Sequence, residues 1–230
     1  FANELGYAGY PELQEALQEL IKTRLTTVQR IELSGDIMSE ADALRSVLRS
    51  DMDNIRATLE KINDKTFSDV VKKIIAARKI YIIGLRSSTA LAEFLGFYLN
   101  FILDNVQVVK YGVSDLFEQL LMLNDEDLII GIGFPRYSSN TVEVLKYAKK
   151  NGATVVALTD SLLSPLACES DYALLCQSNM ASFVDSLVAP MSVRNALIVA
   201  VGLNEKDRIS EYFERLEGLW NEHNVYTDHD

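Results

Sequence analysis

The sequence is poor in the residues on which most catalytic and metal centres are built. It has two histidines in 230 residues, His223 and His229, both within the last eight positions. The body of the chain therefore holds no imidazole, which excludes Ser-His-Asp catalysis, Cys-His catalysis and histidine-based metal sites from its core. There are two cysteines, Cys168 and Cys176, spaced too widely for a Cys-x-x-Cys redox or zinc motif. Two small buried hydrophobes in a reducing, cytoplasmic setting are expected instead. No apolar run reaches the ~20 residues that span a bilayer, so no membrane partner is expected. No signal-peptide pattern opens the chain. Basic charge is scarce: 22 Lys and Arg stand against 33 Asp and Glu, a net charge of −11. That balance argues against nucleic-acid binding over a large surface, though it leaves room for a small basic reading head. Repeats and low-complexity tracts are absent, and no cofactor is implied.

What is present is a chain 48% hydrophobic, ample for a sizeable core in one or two domains. It starts at Phe1 rather than Met, already in helical pattern, and reads as part of something longer. Three parts separate. In the first, residues 1–29, a helix end is stopped by Gly6, a turn follows, and an amphipathic helix resumes after Pro11. The second, residues 35–63, reads as one long helix with Leu44, Leu48, Met52, Ile55, Leu59 and Ile62 in steps of four and three. That seam suits either a helix packed on its own domain or a dimer contact, and the sequence does not choose. The third, residues 67–202, alternates strand candidates (80–83, 107–111, 128–132, 154–158, 172–175) with helical patterns (67–77, 89–103, 114–122, 141–150, 182–201). The alternation predicts an α/β fold: a five-stranded parallel sheet with helices on both faces, preceded by a helical N-terminal segment. A last amphipathic helix covers 205–222.

The stretch from Asp127 to Asp160 is the most informative. It reads strand, polar loop, helix, Asn151-Gly152 stop, strand. Its loop, Gly133-Phe134-Pro135-Arg136-Tyr137-Ser138-Ser139-Asn140, lies at a strand's carboxyl end and a helix N-terminus. Small anions bind at such places, because free N–H groups and the helix dipole point outward there. The first strand ends with the same chemistry in Gly84-Leu85-Arg86-Ser87-Ser88-Thr89. Gly84 permits a tight turn, and Arg86 supplies a fork of donors. All strand carboxyl ends of a parallel sheet share one edge, so Arg86 and Arg136 can face a common crevice. The serines can instead be ordinary N-caps, and either arginine a surface or oligomer residue. Asp160, ending the fourth strand, is placed to hold a sugar hydroxyl or to cap the following turn. Ser182 opens the 182–201 helix as its cap, with Asp185 completing a capping box, or as a ligand contact. Gly131-Ile132-Gly133 hints at a dinucleotide loop, but Arg136 occupies the third glycine position.

Together these residues resemble a sugar isomerase (SIS) domain over residues 67–202. The resemblance implies a three-layer αβα sandwich of flavodoxin-like type that binds phosphosugars, as a homodimer or homotetramer. Gly84 and Ser88 match the family's first loop, with Arg86 at its second glycine. In the second unit the helix, Lys149, Gly152, Ala153 and the strand ending in Thr159 fit. The loop departs: Gly133 and Pro135 stand at serine positions, Arg136 at the glycine and Ser138 at the threonine. Anion binding mainly by guanidinium groups follows, and a carboxylated metabolite becomes credible beside a phosphosugar. An occluded pocket, with the arginines paired to acidic residues, is the alternative.

Residues 1–13, from Phe1-Ala2-Asn3-Glu4-Leu5-Gly6 to Gly9-Tyr10-Pro11-Glu12-Leu13, are similar to the end of the helix-turn-helix domain of RpiR-type transcription regulators. That resemblance implies that residues 1–34 are the remnant of a DNA-binding domain and its linker. Residues 35–230 are then the effector-binding domain with its flanking helices. The expected function is the effector-sensing and dimerisation portion of a DNA-binding regulator, not an enzyme. Its expected ligand residues are Gly84, Arg86, Ser87, Ser88, Arg136, Tyr137, Ser138, Ser139, Asp160 and Ser182. Its expected partners are an anionic sugar metabolite and DNA. Two other readings are a phosphosugar isomerase or lyase, with Glu93 or Glu143 as base, and an oligomerisation scaffold with a vestigial pocket.

Overall fold

The computed structural model describes residues 40–180 and 184–223 continuously, with residues 2, 6, 8–10, 13, 14, 26, 28, 29, 225 and 226 besides. Most of the segment assigned to a helix-turn-helix remnant, and Ser182, lie outside the described residues.

Five strands form one parallel sheet in the order β2-β1-β3-β4-β5. They are β1 (Ile80–Gly84), β2 (Val106–Val109), β3 (Leu128–Ile132), β4 (Thr154–Thr159) and β5 (Tyr172–Leu175). β1 and β3 are buried throughout, as near-continuous apolar runs covered on both faces should be. Alternate residues serve opposite layers. Ile80, Ile82, Leu128, Ile130, Ile132, Val156 and Leu158 pack on one side, while Tyr81, Ile83, Ile129, Val155 and Ala157 pack on the other.

The first layer holds α2 (Asp64–Ala76), α3 (Thr89–Ile102) and α6 (Val188–Asn204). The second holds α4 (Ser139–Lys150) and the short α5 (Pro165–Cys168). The result is the expected αβα sandwich. Helix α1 (Glu40–Lys61) packs against α6 from outside, and α7 (Lys206–Glu222) packs on α3. Phe101 meets Tyr212 and Phe213 there.

Three expectations need correction. Residues 114–122 form turns with one 3-10 turn at Glu118–Leu120 rather than a helix. The Gln119 amide donates to Lys110 O and folds the segment back on itself. Helix α6 starts at Val188 with Leu187 at its N-cap position, and residues 184–187 are not helical, so the helix does not begin at 182 and Asp185 completes no capping box on it. Pro190 explains the late start, because a proline fits a first turn and breaks an interior. Finally, Cys176 is buried but Cys168 is exposed.

The seam of α1 faces outward. Leu44, Leu48, Met52 and Leu59 expose between 54% and 75% of their surface, whereas Asn54 and Thr58, at 1% and 5%, face the domain. Ile62, just past the helix, does pack on the core.

Candidate functional site

The chain leaves β1 to form β2 on one side of it, then crosses to β3 on the other. The connections after β1 and β3 therefore diverge, which opens a crevice at the carboxyl edge where open parallel sheets bind ligands. A cleft of about 760 Å³ lies there. It brings together Arg86, Ser87 and Ser88 from the first loop with Arg136, Tyr137, Ser138 and Ser139 from the second. Seven of the ten expected residues thus share one wall-to-wall space.

The two arginines share a backbone peculiarity. Arg86 has φ 59° and Arg136 has φ 65°, and they are the non-glycine residues with positive φ among those described. An L-residue in the left-handed region is strained by roughly 1–2 kcal/mol. These are the positions at which the resemblance noted in the sequence leads one to expect glycine, and both loops hold a conformation that suits glycine while presenting a guanidinium. Gly84 does not line the cleft. A Cβ there would lie 2.6 Å from the Ser88 carbonyl oxygen, so it is glycine because the turn doubles back on it.

The helix caps differ between the loops. Ser138 caps α4, its Oγ accepting from Thr141 N at 3.5 Å. Ser88 occupies the N-cap of α3 but makes no side-chain cap bond. The first amides of α3 are therefore not taken by that serine. Arg86 has no ion-pair partner among the described residues and is exposed where it lines the cleft. Arg136 engages a neighbour, as do Tyr137, Asp160 and Asp185.

Asp160 lies behind Tyr137 rather than in the main cleft. Its Oδ1 accepts from the Tyr137 hydroxyl at 2.8 Å and from Thr159 Oγ1 at 3.3 Å. It lines an adjoining hollow of about 160 Å³ with Pro135, Gln177, Ser178, Asn179, Met180 and Asp185. Pro135 and Asp185 belong to both spaces.

Several lining residues were not anticipated. Tyr111, just past β2, lines the cleft, and the Asn140 amide donates to its hydroxyl. Asp185 reaches the cleft from the connection before α6. Both sit at the strand-end edge, so the reasoning that paired the two arginine loops could have found them. Nearby, Arg194 of α6 is fully buried. Its Nε donates to Pro190 O at 3.2 Å, while Nη1 has no hydrogen-bond partner. Burial holds its pKa down to about 10, opposed by the neighbouring Cys176. Burial in turn pushes the Cys176 thiol well up, so it stays protonated and unreactive.

The candidate bases of an isomerase are engaged elsewhere. Glu93 pairs with Lys110 at 2.9 Å and Glu143 with Lys146 at 2.8 Å, and neither lines the cleft. The Gly131-Ile132-Gly133 pair serves packing: a Cβ on Gly131 would meet Leu145 at 2.6 Å, and one on Gly133 would meet Leu166 at 2.8 Å.

A switch-point cleft flanked by two strand-to-helix loops on a five-stranded parallel sheet is the arrangement of an SIS domain. Residues 73–200 match that family, and the chain belongs to it. The relatives narrow the class. An HTH-type transcriptional regulator of Haemophilus influenzae is 32% identical over 179 residues, covering 76% of this chain and 61% of its own length. The sugar isomerase domain of an RpiR transcription factor from Sphaerobacter thermophilus superimposes with a TM-score of 0.73 at 29% identity, over 76% of this chain and 98% of that one. The Vibrio vulnificus NanR protein, solved complexed with ManNAc-6P, shares the fold at a TM-score of 0.67 and 19% identity, over 95% of this chain and 79% of its own. The chain is thus an SIS domain of the RpiR-regulator type, and it spans about three fifths of the Haemophilus relative's length. Among the described residues, no helix is long and apolar enough to cross a membrane.

Proposed function

We propose that this chain is the effector-sensing and dimerisation portion of a cytoplasmic DNA-binding transcription regulator, and that its cleft binds a phosphosugar or a sugar acid. The observation that carries this reading is the pair of left-handed arginines on opposite loops of one switch-point cleft. Backbone strain in a non-glycine residue persists where the side chain has work at that spot. Each well-formed charge-assisted hydrogen bond to an anion contributes about 1.5–3 kcal/mol, and each helix N-terminus roughly 0.3–1 kcal/mol. After association costs, micromolar affinity for a metabolite follows if the sugar hydroxyls are also held. In this reading Ser87, Ser88 and Ser139, which line the cleft, hold them, and Asp160 is reached only through the adjoining hollow.

DNA would be read by the domain that precedes residue 35 in a longer protein. Pairing through the outward α1 seam, as a homodimer or homotetramer, would set the spacing of two reading heads. Relatives named as transcriptional regulators support this over a turnover role, and a fold neighbour complexed with ManNAc-6P supports a phosphosugar as the ligand class. The engagement of Glu93 and Glu143 by lysines points the same way.

The test is calorimetric titration of phosphosugars, sugar acids and neutral sugars into the wild type and Arg136→Ala. Binding of acidic sugars alone, weakened at least tenfold by the substitution, supports the reading. Unchanged affinity in Arg136→Ala sinks the site assignment, and turnover of a sugar phosphate would replace the sensor by an enzyme.

A further inference from the structure

The strongest unexplained feature outside the cleft is the inner face of α1. An amphipathic helix ordinarily turns its apolar seam to its own domain. Here the seam faces out, while Asn54 and Thr58 are buried. Buried amides and hydroxyls are costly unless hydrogen-bonded, so their partners say what the face is for.

All their bonds converge on one short segment following β5. Asn54 Nδ2 donates to Asn179 O at 2.8 Å, and Asn54 Oδ1 accepts from Asn179 N at 3.1 Å. Thr58 Oγ1 accepts from Gln177 N at 2.8 Å. One turn earlier, Asp51 Oδ1 accepts from Ser186 Oγ at 2.6 Å. The bonded residues 177 and 179 alternate, as they would beside a neighbouring strand. The side chains of α1 thus stand in for a strand that the sheet lacks. The segment they hold is the wall of the ligand space: Gln177, Ser178, Asn179 and Met180 line the hollow beside Asp160, which shares Pro135 and Asp185 with the main cleft.

We propose that Asn54 and Thr58 are positioning residues for the anion site, and that through them its occupancy is linked to α1, the helix joining the sheet domain to the N-terminal segment. This rests on the effector reading given above. A ligand that presses on the 177–180 wall or on Asp185 must carry α1 with it or break these bonds. By linkage, a shift of α1 must change ligand affinity by the same factor. No bond between α1 and the ligand itself is needed.

The experiment compares wild type, Thr58→Val, Thr58→Ser, Asn54→Leu and Arg136→Ala, using inorganic phosphate and glucose 6-phosphate as probes. Each variant is followed by amide hydrogen exchange and calorimetry. Losing one such bond should speed exchange of the Gln177 or Asn179 amide by about two- to tenfold and weaken probe binding by a similar factor. Thr58→Ser, which keeps the hydroxyl, should behave as wild type, and probe binding should alter exchange across residues 51–58. If exchange at 177 and 179 quickens while affinity stays at the wild-type value, the role is structural and the inference falls. It also falls if Thr58→Val changes neither. If neither probe binds the wild type, the effector reading fails and takes this inference with it. Binding lost in Arg136→Ala but intact in Thr58→Val leaves the reading standing and removes the inference alone.

Discussion

Replacing Arg86 by glycine should stabilise the protein relative to alanine and at the same time disable the site. Arg86 sits at φ 59° on an exposed turn, without an ion-pair partner among the described residues. Its side chain therefore adds little to folding, and the backbone term dominates. Alanine keeps the left-handed strain of about 1–2 kcal/mol. Glycine removes it, but gives back about 0.4–1 kcal/mol by widening the unfolded ensemble. Taken at mid-range, the difference leaves Arg86→Gly about 0.8 kcal/mol more stable than Arg86→Ala. For a chain of this size that corresponds to about 2–3 °C in Tm. Thermal denaturation of the ligand-free proteins, followed by circular dichroism, measures it directly.

The same two variants should both lose the guanidinium contact to an anion. One charged hydrogen bond of about 1.5–3 kcal/mol is about a 10- to 150-fold fall in affinity. Stability and binding thus move apart in Arg86→Gly, whereas in Arg86→Ala binding falls while stability stays near that of the wild type. Two results would refute the reasoning. If the glycine variant melts below the alanine variant, the left-handed turn is not a source of strain. If either binds acidic sugars as the wild type does, the strain serves something other than ligand. The Arg136 pair should show the same glycine-over-alanine difference, but both variants should lie lower relative to the wild type, because that side chain engages a neighbour whose contact is lost in both.

Gly84→Ala should cost about 1–3 kcal/mol in urea denaturation, because the new methyl meets the backbone Ser88 oxygen at 2.6 Å and cannot push it aside cheaply. Arg194→Met should stabilise the ligand-free fold by about 1–4 kcal/mol, since it replaces a fully buried cation lacking a carboxylate partner. With the folded pKa down to about 10, the unfolded chain binds the extra proton between there and the ordinary arginine value. Wild-type stability should therefore gain on the methionine variant as pH rises through that window. Leu48→Lys with Met52→Lys, on the exposed seam, should convert a sedimenting dimer or tetramer to a smaller species while leaving the circular dichroism spectrum unchanged.

The strands were the most legible part of the chain. Residues 128–132 match β3 to the residue, because a strand buried between two helical layers needs an uninterrupted apolar run and ends where that run ends, and residues 172–175 match β5, a half-buried edge strand with a short apolar run of its own. The two arginine loops were legible for a similar reason: parallel topology sends every strand end to one edge. What failed involved competition between local signals. The apolar spacing of residues 182–201 predicts a helix through Pro190, although proline belongs in a first turn, where the structure puts it. Residues 114–122 carry helical spacing, but the Gln119 side chain takes backbone acceptors of Lys110, Ser114 and Asp115 and closes turns instead. The burial of Arg194 left no trace, because one polar residue in a helical pattern reads as part of the wet face. The inward turn of Asn54 and Thr58 was hidden by the same logic. An apolar seam shows that a helix has a partner, not which side its own domain occupies.

That last point bears on how such a chain can sense anything. A helix held to its domain by apolar packing alone slides cheaply, since hydrophobic contact is non-directional. Hydrogen bonds to two alternating backbone positions fix register and direction. In α1 the two kinds of contact are divided between faces: directional bonds inward to the cleft wall, apolar surface outward where a second copy can pack. A small displacement of residues 177–180 then changes the orientation of the outward seam rather than being absorbed by slippage. A scaffold with a vestigial pocket would have no use for that division. It would also have no use for two strained arginines when glycine at either position relieves the strain. The arginine turns and the polar inner face of α1 are thus two departures from local preference, one lining the cleft and the other holding the wall of the hollow that adjoins it, and the proposed anion site gives both of them a purpose.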